Sequence, residues 1–128
     1  MSEKIIIDTD VLIDFLRGNK KAIDFIDNFS SHIMLSPIVI AELYAGVKDE
    51  NELEILDNFI SLFHIVPITS AIAKAGGLYK RDFGKSHGAG LADAILAATA
   101  DIEKADLKTL NVKHYPMIKG LKPAYRKR

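Results

Sequence analysis

Hydrophobic residues in this chain fall into short strand-like runs alternating with longer helical patterns. Lys4 to Asp8 contains three consecutive isoleucines, the pattern of a central parallel strand buried on both faces. Thr9 then offers a cap for a helix with Leu12, Phe15 and Leu16 on its apolar positions, stopping at Gly18. A second helix is predicted from about Lys20 to Phe29, and a strand over Ile33–Leu35. Ser36 before Pro37 is the clearest helix start, a capping hydroxyl followed by a residue whose missing N–H costs nothing there. That helix runs to about Ala45 and ends at Gly46. Residues 50–60 read as another helix, and His64–Val66 as a short strand closed by Pro67. Thr69 opens a helix to about Tyr79 or Lys80, followed by a polar loop over Phe83–Gly88. An alanine-rich helix is predicted over Ala89–Asp101 and a strand over Leu107–Leu110, with turns and one short edge strand beyond. The alternation predicts an open α/β sheet with right-handed crossovers, whose ligand site lies at the carboxyl ends of the strands.

Composition narrows the class. The 128 residues, 48% hydrophobic, suit one domain spanning 1–128. With no cysteine, disulfides and thiolate metal sites are excluded. No apolar run reaches the ~20 residues of a membrane span, and no signal peptide precedes the first strand, so a cytoplasmic location is expected. The formal net charge of zero hides an asymmetry: residues 1–60 carry twelve acids and five bases, whereas residues 61–128 carry five acids and twelve bases. The basic end, with Lys119, Lys122, Arg126, Lys127 and Arg128, could attract a phosphate backbone or equally be a solvated terminus.

Three carboxylates stand where apolar residues would be expected. Asp8 ends the isoleucine strand, either as a helix cap or as a cation ligand; Thr9 and Asp10 could supply the cap instead. Glu42 interrupts IVIAELYAG, a helix apolar almost all round, where burial of an ionised group is costly unless it is paired or bound to metal; the alternative is that it points to solvent through a gap beside Tyr44. Asp93 interrupts GLADAILAATA near the helix start, where the dipole already favours negative charge. If the three gather at one cleft, their repulsion calls for a hard divalent cation, Mg²⁺ or Mn²⁺, and so for phosphoryl chemistry. Zinc fits less well, because His32, His64, His87 and His114 lack ligand spacing.

Two other motifs fare worse. GGLYKRDFGKS would need glycine at 79 to form a phosphate-binding loop ending in Gly84-Lys85-Ser86, and the chain has Tyr79. Asp8-Thr9-Asp10 matches the D-x-D of haloacid-dehalogenase-type phosphatases, with Asp8 as nucleophile and Asp10 as acid/base, but leaves Glu42 unexplained.

Four segments in order carry a more specific resemblance: IIIDTDVLIDFLRG at 5–18, SPIVIAELYAGV at 36–47, LADAILAATA at 91–100 and LKTLNVKHYPMIKGL at 107–121. Over nearly its whole length the chain resembles the PIN-domain family, and within it the VapC-type ribonuclease toxins of toxin–antitoxin pairs. The resemblance implies a three-layer α/β/α sandwich with a small central parallel sheet. It implies that Asp8, Glu42 and Asp93 form the catalytic triad holding Mg²⁺ or Mn²⁺, with Thr9, Asp10 and Thr109 in support. Many relatives carry a fourth acid where this chain has Asn111, and His114 replaces another frequent acid. The implied reaction is metal-activated attack of water on an RNA phosphodiester; Lys85, His87, Lys113 and the 119–128 tail are candidate phosphate contacts, and each could equally be solvated surface. The implied partners are RNA, a VapB-type antitoxin and a second copy in a homodimer, with no membrane. Part of the apolar bulk in Phe15, Leu16, Phe25, Phe29, Leu53, Phe59, Leu62 and Phe63 could line the antitoxin groove. A catalytically idle PIN-like module is the alternative that the missing fourth acid leaves open.

Overall fold

Ile5, Ile6 and Ile7 form strand β1, and all three are buried, as an inner strand covered on both faces requires. The computed structural model describes residues 4–126. Along the chain, β1 (Ile5–Ile7) is followed by α1 (Thr9–Leu16), α2 (Lys20–Phe29), β2 (Ile33–Leu35), α3 (Pro37–Ala45) and α4 (Glu50–Ile60). Then come β3 (His64–Ile65), α5 (Ser70–His87), α6 (Leu91–Glu103) and β4 (Asp106–Lys108). The sheet has the order β3-β2-β1-β4 with every neighbouring pair parallel. Ile5 pairs with Ile33 on one side and with Asp106 on the other. The result is an α/β/α three-layer sandwich around a small parallel sheet, in which α1 packs on α2 and α3, and α5 packs along α6.

Several predicted boundaries move, each for a local reason. The start of α1 is capped by Asp8, not Thr9: Asp8 has extended dihedrals and its Oδ1 accepts the Thr9 N–H at 2.8 Å. Ser36 caps α3 as its sequence implies, accepting the Ile38 N–H at 3.2 Å. The third strand is one residue shorter than expected, although Val66 N–H still reaches Leu35 O at 2.9 Å.

The largest difference is α5, which does not yield to a loop at Phe83–Gly88 but runs on to His87. Tyr79, Phe83 and His87, four residues apart, pack ring on ring with centroids 6.3 and 5.7 Å apart. Lys80 lays its stem over Gly84 and donates from Nζ to Ala89 O at 2.8 Å, fastening the turn into α6. The helix stops only at Gly88, whose φ of +67° suits glycine.

The last strand covers Asp106–Lys108, not Leu107–Leu110, because Thr109 and Leu110 are drawn into bonds with Asp10. A 3₁₀ turn at Val112–His114 stands where chain reversal was expected, and no further strand follows among the described residues. The chain then returns across α1. Ala124 N–H donates to Thr109 O at 2.8 Å, and the Tyr125 hydroxyl donates to the buried Asp14 at 2.8 Å. Among the described residues no helix is long and apolar enough to cross a membrane.

Candidate active site

Asp8 leaves the sheet at the carboxyl end of β1, where its own N–H still donates to Lys108 O at 2.9 Å. Its side chain is 7% exposed, and every bond it accepts is short. Besides the Thr9 N–H on Oδ1, Oδ2 accepts the Thr109 hydroxyl at 2.8 Å and the Tyr115 hydroxyl at 2.7 Å. Thr109 follows the neighbouring strand β4, so parallel pairing of β1 and β4 brings residues a hundred positions apart into one hydrogen bond.

Asp93 reaches the same place from the first turn of α6. Its Oδ1 lies 3.2 Å from the Tyr115 hydroxyl and its Oδ2 lies 3.4 Å from His114 Nδ1. A phenol carries a single hydrogen, so one proton serves two carboxylates here. Burial first, and then the Asp8 charge, pushes the Asp93 carboxyl up from its ordinary value. Glu42 adds to the rise, while Tyr115 and His114 oppose it. The Tyr115 phenol itself is pushed far up by burial and by the two acids, so it remains a donor.

Glu42 behaves differently from its expectation. Its helix is apolar in composition, yet Glu42 is exposed, because the outward face of α3 is made of Ala41, Glu42 and Ala45. Its Oε1 accepts the Thr9 hydroxyl at 2.6 Å, which ties it to the residue next to Asp8.

Asp10 holds the opposite wall together. Its Oδ1 accepts the Val11 N–H at 2.8 Å. Its Oδ2 accepts the Leu110 N–H at 2.9 Å, the Asn111 Nδ2 at 3.0 Å and the Thr109 hydroxyl at 3.3 Å. Burial and the Asp8 charge push its carboxyl up. With both oxygens engaged, Asp10 is a brace for the turn after β4, which disfavours the phosphatase acid/base role.

Asp8, Asp93, Thr109, Asp10 and Asn111 are thus joined by hydrogen bonds, and Thr9 links Glu42 to the edge of this network. Among the described residues no group of three acidic or histidine side chains is arranged to hold a metal ion. Asp8 and Asp93 are bridged by a phenol, and Glu42, whose charge also acts on Asp93, stands beside them. Tyr115 was missed by the sequence reading. It falls in a segment predicted as turns, and its partners lie 107 and 22 residues away; the only signal was an aromatic amid polar and basic residues.

Lys85 and His87 are exposed on the last turn of α5, where His87 pairs with Ser86, and Lys113 is exposed on the 3₁₀ turn. Lys119 and Lys122 line another cleft, of about 600 Å³ between α6 and β4, which includes none of the site carboxylates. Lys127 and Arg128 of the basic tail lie outside the described residues. A groove of about 450 Å³ between α1, α3 and α4 includes Glu42 in its lining and carries exposed Leu16 and Ile55. Of the remaining apolar bulk, Phe15, Phe59 and Phe63 pack on one another, with centroids about 5 Å apart, and belong to the core or its margin.

The PIN domain family matches residues 5–114 of this chain. Ribonuclease VapC19 of Mycobacterium tuberculosis is 40% identical over 125 residues, covering 94% of this chain and 98% of that protein. Ribonuclease VapC10 of the same species is 36% identical over 124 residues, covering 94% and 92%. Among solved structures, a toxin–antitoxin complex from Klebsiella pneumoniae superposes with a TM-score of 0.82 at 26% identity, over 95% of this chain and 98% of that one. The fold alone is shared with a DNA-bound VapBC from Salmonella typhimurium, at a TM-score of 0.79 and 21% identity, covering 94% and 96%. The chain belongs to the PIN-domain family, among the VapC-type ribonuclease toxins of toxin–antitoxin systems.

Proposed function

We propose that this ribonuclease is a metal-dependent endonuclease in which Asp8, Asp93 and Glu42 hold Mg²⁺ or Mn²⁺. The observation that carries the reading is the pairing of Asp8 and Asp93 on one phenol. Two carboxylates meet with a single proton between them, and Asp93 is raised first by burial and then by the neighbouring Asp8 charge. The donor set is all oxygen, which suits a hard ion completed by water and phosphate. When bound, the ion supplies Lewis-acid activation of water and offsets charge on the phosphoryl group.

The chain's own residues then have separate tasks. Asp8 and Asp93 fix the centre of the site, and Thr9 turns Glu42 toward it from α3. Asp10 and Thr109 brace the turn that presents Asn111, whose side chain is already committed to Asp10 and brings no charge of its own. Lys85, His87 and Lys113 are the exposed groups offered to the phosphates of RNA, which single-stranded or looped segments present most openly. The groove between α1, α3 and α4 suits the apolar face of a VapB-type antitoxin segment, since its lining includes Glu42 together with exposed Leu16 and Ile55. A homodimer completes the proposed assembly.

The test is cleavage of single-stranded RNA by the metal-free protein titrated with Mn²⁺. Cleavage that requires the ion and is lost in Asp8→Asn and Asp93→Asn proteins that remain folded supports the reading. RNA binding that persists through EDTA and both substitutions, without cleavage, replaces it with an idle binding module.

A further inference from the structure

Tyr115 is among the most buried side chains of the protein, at 1% exposure, and lies immediately beyond the 3₁₀ turn. Its ring would fill that space equally well as phenylalanine. What the hydroxyl adds is one oxygen within hydrogen-bond distance of both Asp8 Oδ2, at 2.7 Å, and Asp93 Oδ1, at 3.2 Å. Asp8 hangs from the end of β1 and Asp93 from the start of α6, elements whose mutual placement alone does not fix the rotation of either carboxyl group. Asp8 Oδ2 is further held by Thr109, and Oδ1 only by the adjacent Thr9 N–H. Asp8 Oδ1 accepts one bond, from Thr9, and Asp93 Oδ2 lies 3.4 Å from His114 Nδ1, so each acid keeps acceptor capacity beyond its bond to the phenol.

We propose that Tyr115 is a positioning residue for the metal site: its hydroxyl ties one oxygen of Asp8 to one of Asp93, setting their separation and the rotation of both carboxyl groups. This inference rests on the metal-dependent reading above. Groups that orient metal ligands from behind typically change metal affinity 10–100-fold when removed.

Binding of Mn²⁺ to the metal-free protein, followed by electron paramagnetic resonance, separates the possibilities without any substrate. Tyr115→Phe is expected to weaken Mn²⁺ binding about 10–100-fold, with the melting temperature of the metal-free protein little changed. Equal or tighter binding in Tyr115→Phe, while Asp93→Asn loses it, overturns the positioning role and leaves the metal site standing. Binding by the wild type that ignores Asp8→Asn and Asp93→Asn overturns the underlying reading instead. A second measurement does not depend on the variant folding. In protein labelled with fluorotyrosine, the four tyrosine signals are assigned through Tyr44→Phe, Tyr79→Phe and Tyr125→Phe. Mg²⁺ is expected to move the Tyr115 fluorine resonance; a resonance that stays in place overturns the proposal.

Discussion

Glu42 and Asp93 look alike in the sequence, each a lone acid in a helix of mostly apolar residues, but the fold treats them as different kinds of group. Asp93 enters a half-buried network with Tyr115, His114 and the Asp8 charge, on a helix covered by the sheet on one side and α5 on the other. Glu42 stands on the outward face of α3 and is held by one hydroxyl, that of Thr9. The difference traces to alanine. In α6 Ala94, Ala97, Ala98 and Ala100 are buried and allow close packing, whereas in α3 Ala41 and Ala45 flank Glu42 on the exposed face. An alanine counts as apolar in a pattern yet sits in water at little cost, so composition alone misjudges which face of α3 is covered.

The comparison can be broken or sharpened in four ways. Asp93→Asn is expected to lower Mn²⁺-dependent RNA cleavage by about 10²–10³-fold with the fold intact, the scale typical of losing a preorganised electrostatic group; a plate or gel assay on single-stranded RNA measures it. Gly76→Ala attacks the seat of α6. A Cβ there would lie 2.8 Å from Ile95 Cγ1 and 2.9 Å from Ile95 Cα, so overpacking should cost about 1–3 kcal/mol in chemical denaturation and disturb Asp93 rather than Glu42. Thr9→Val cuts the single bond to Glu42. Cleavage should fall only about 3–10-fold, with the melting temperature unchanged, if that bond merely orients the group.

The smallest effect is on the stability of the metal-free protein. The Asp93 carboxyl is raised above 3.8 by burial and by Asp8, so between that value and its folded value the native state holds a proton that the unfolded chain releases. Stability from this group therefore falls as pH rises through that window, and the deficit persists at neutral pH. Asp93→Asn should melt higher than wild type at pH 7 without metal, and the gap should close below pH 3.8. Thermal melts over a pH series would read the gap.

Much of the frame was legible beforehand. Three isoleucines announced the central strand, Ser36-Pro37 announced α3, and the alternation of elements announced a parallel sheet. The extension of α5 was not legible, because Gly84 and the polar residues around it suggest a loop until Lys80 is seen to cover the glycine and three rings to pack tilted or edge to face along one side. At the site, the residues drawn from strand and helix ends were anticipated. The bonds joining them were not, since Tyr115 to Asp8 and Asn111 to Asp10 each span about a hundred residues. Local preference cannot encode such a contact; only strand pairing brings it about.

The close approach at Gly76 bears on how still the site is. Where helices meet through long side chains, small displacements are absorbed by rotamer changes. At Gly76 the neighbour includes the Cα of Ile95, so main chain faces main chain and no torsion is available to take up slack. Asp93, two residues earlier on the same helix, is mounted on that rigid joint, and its thermal amplitude should follow the peptide frame of the α5–α6 pair.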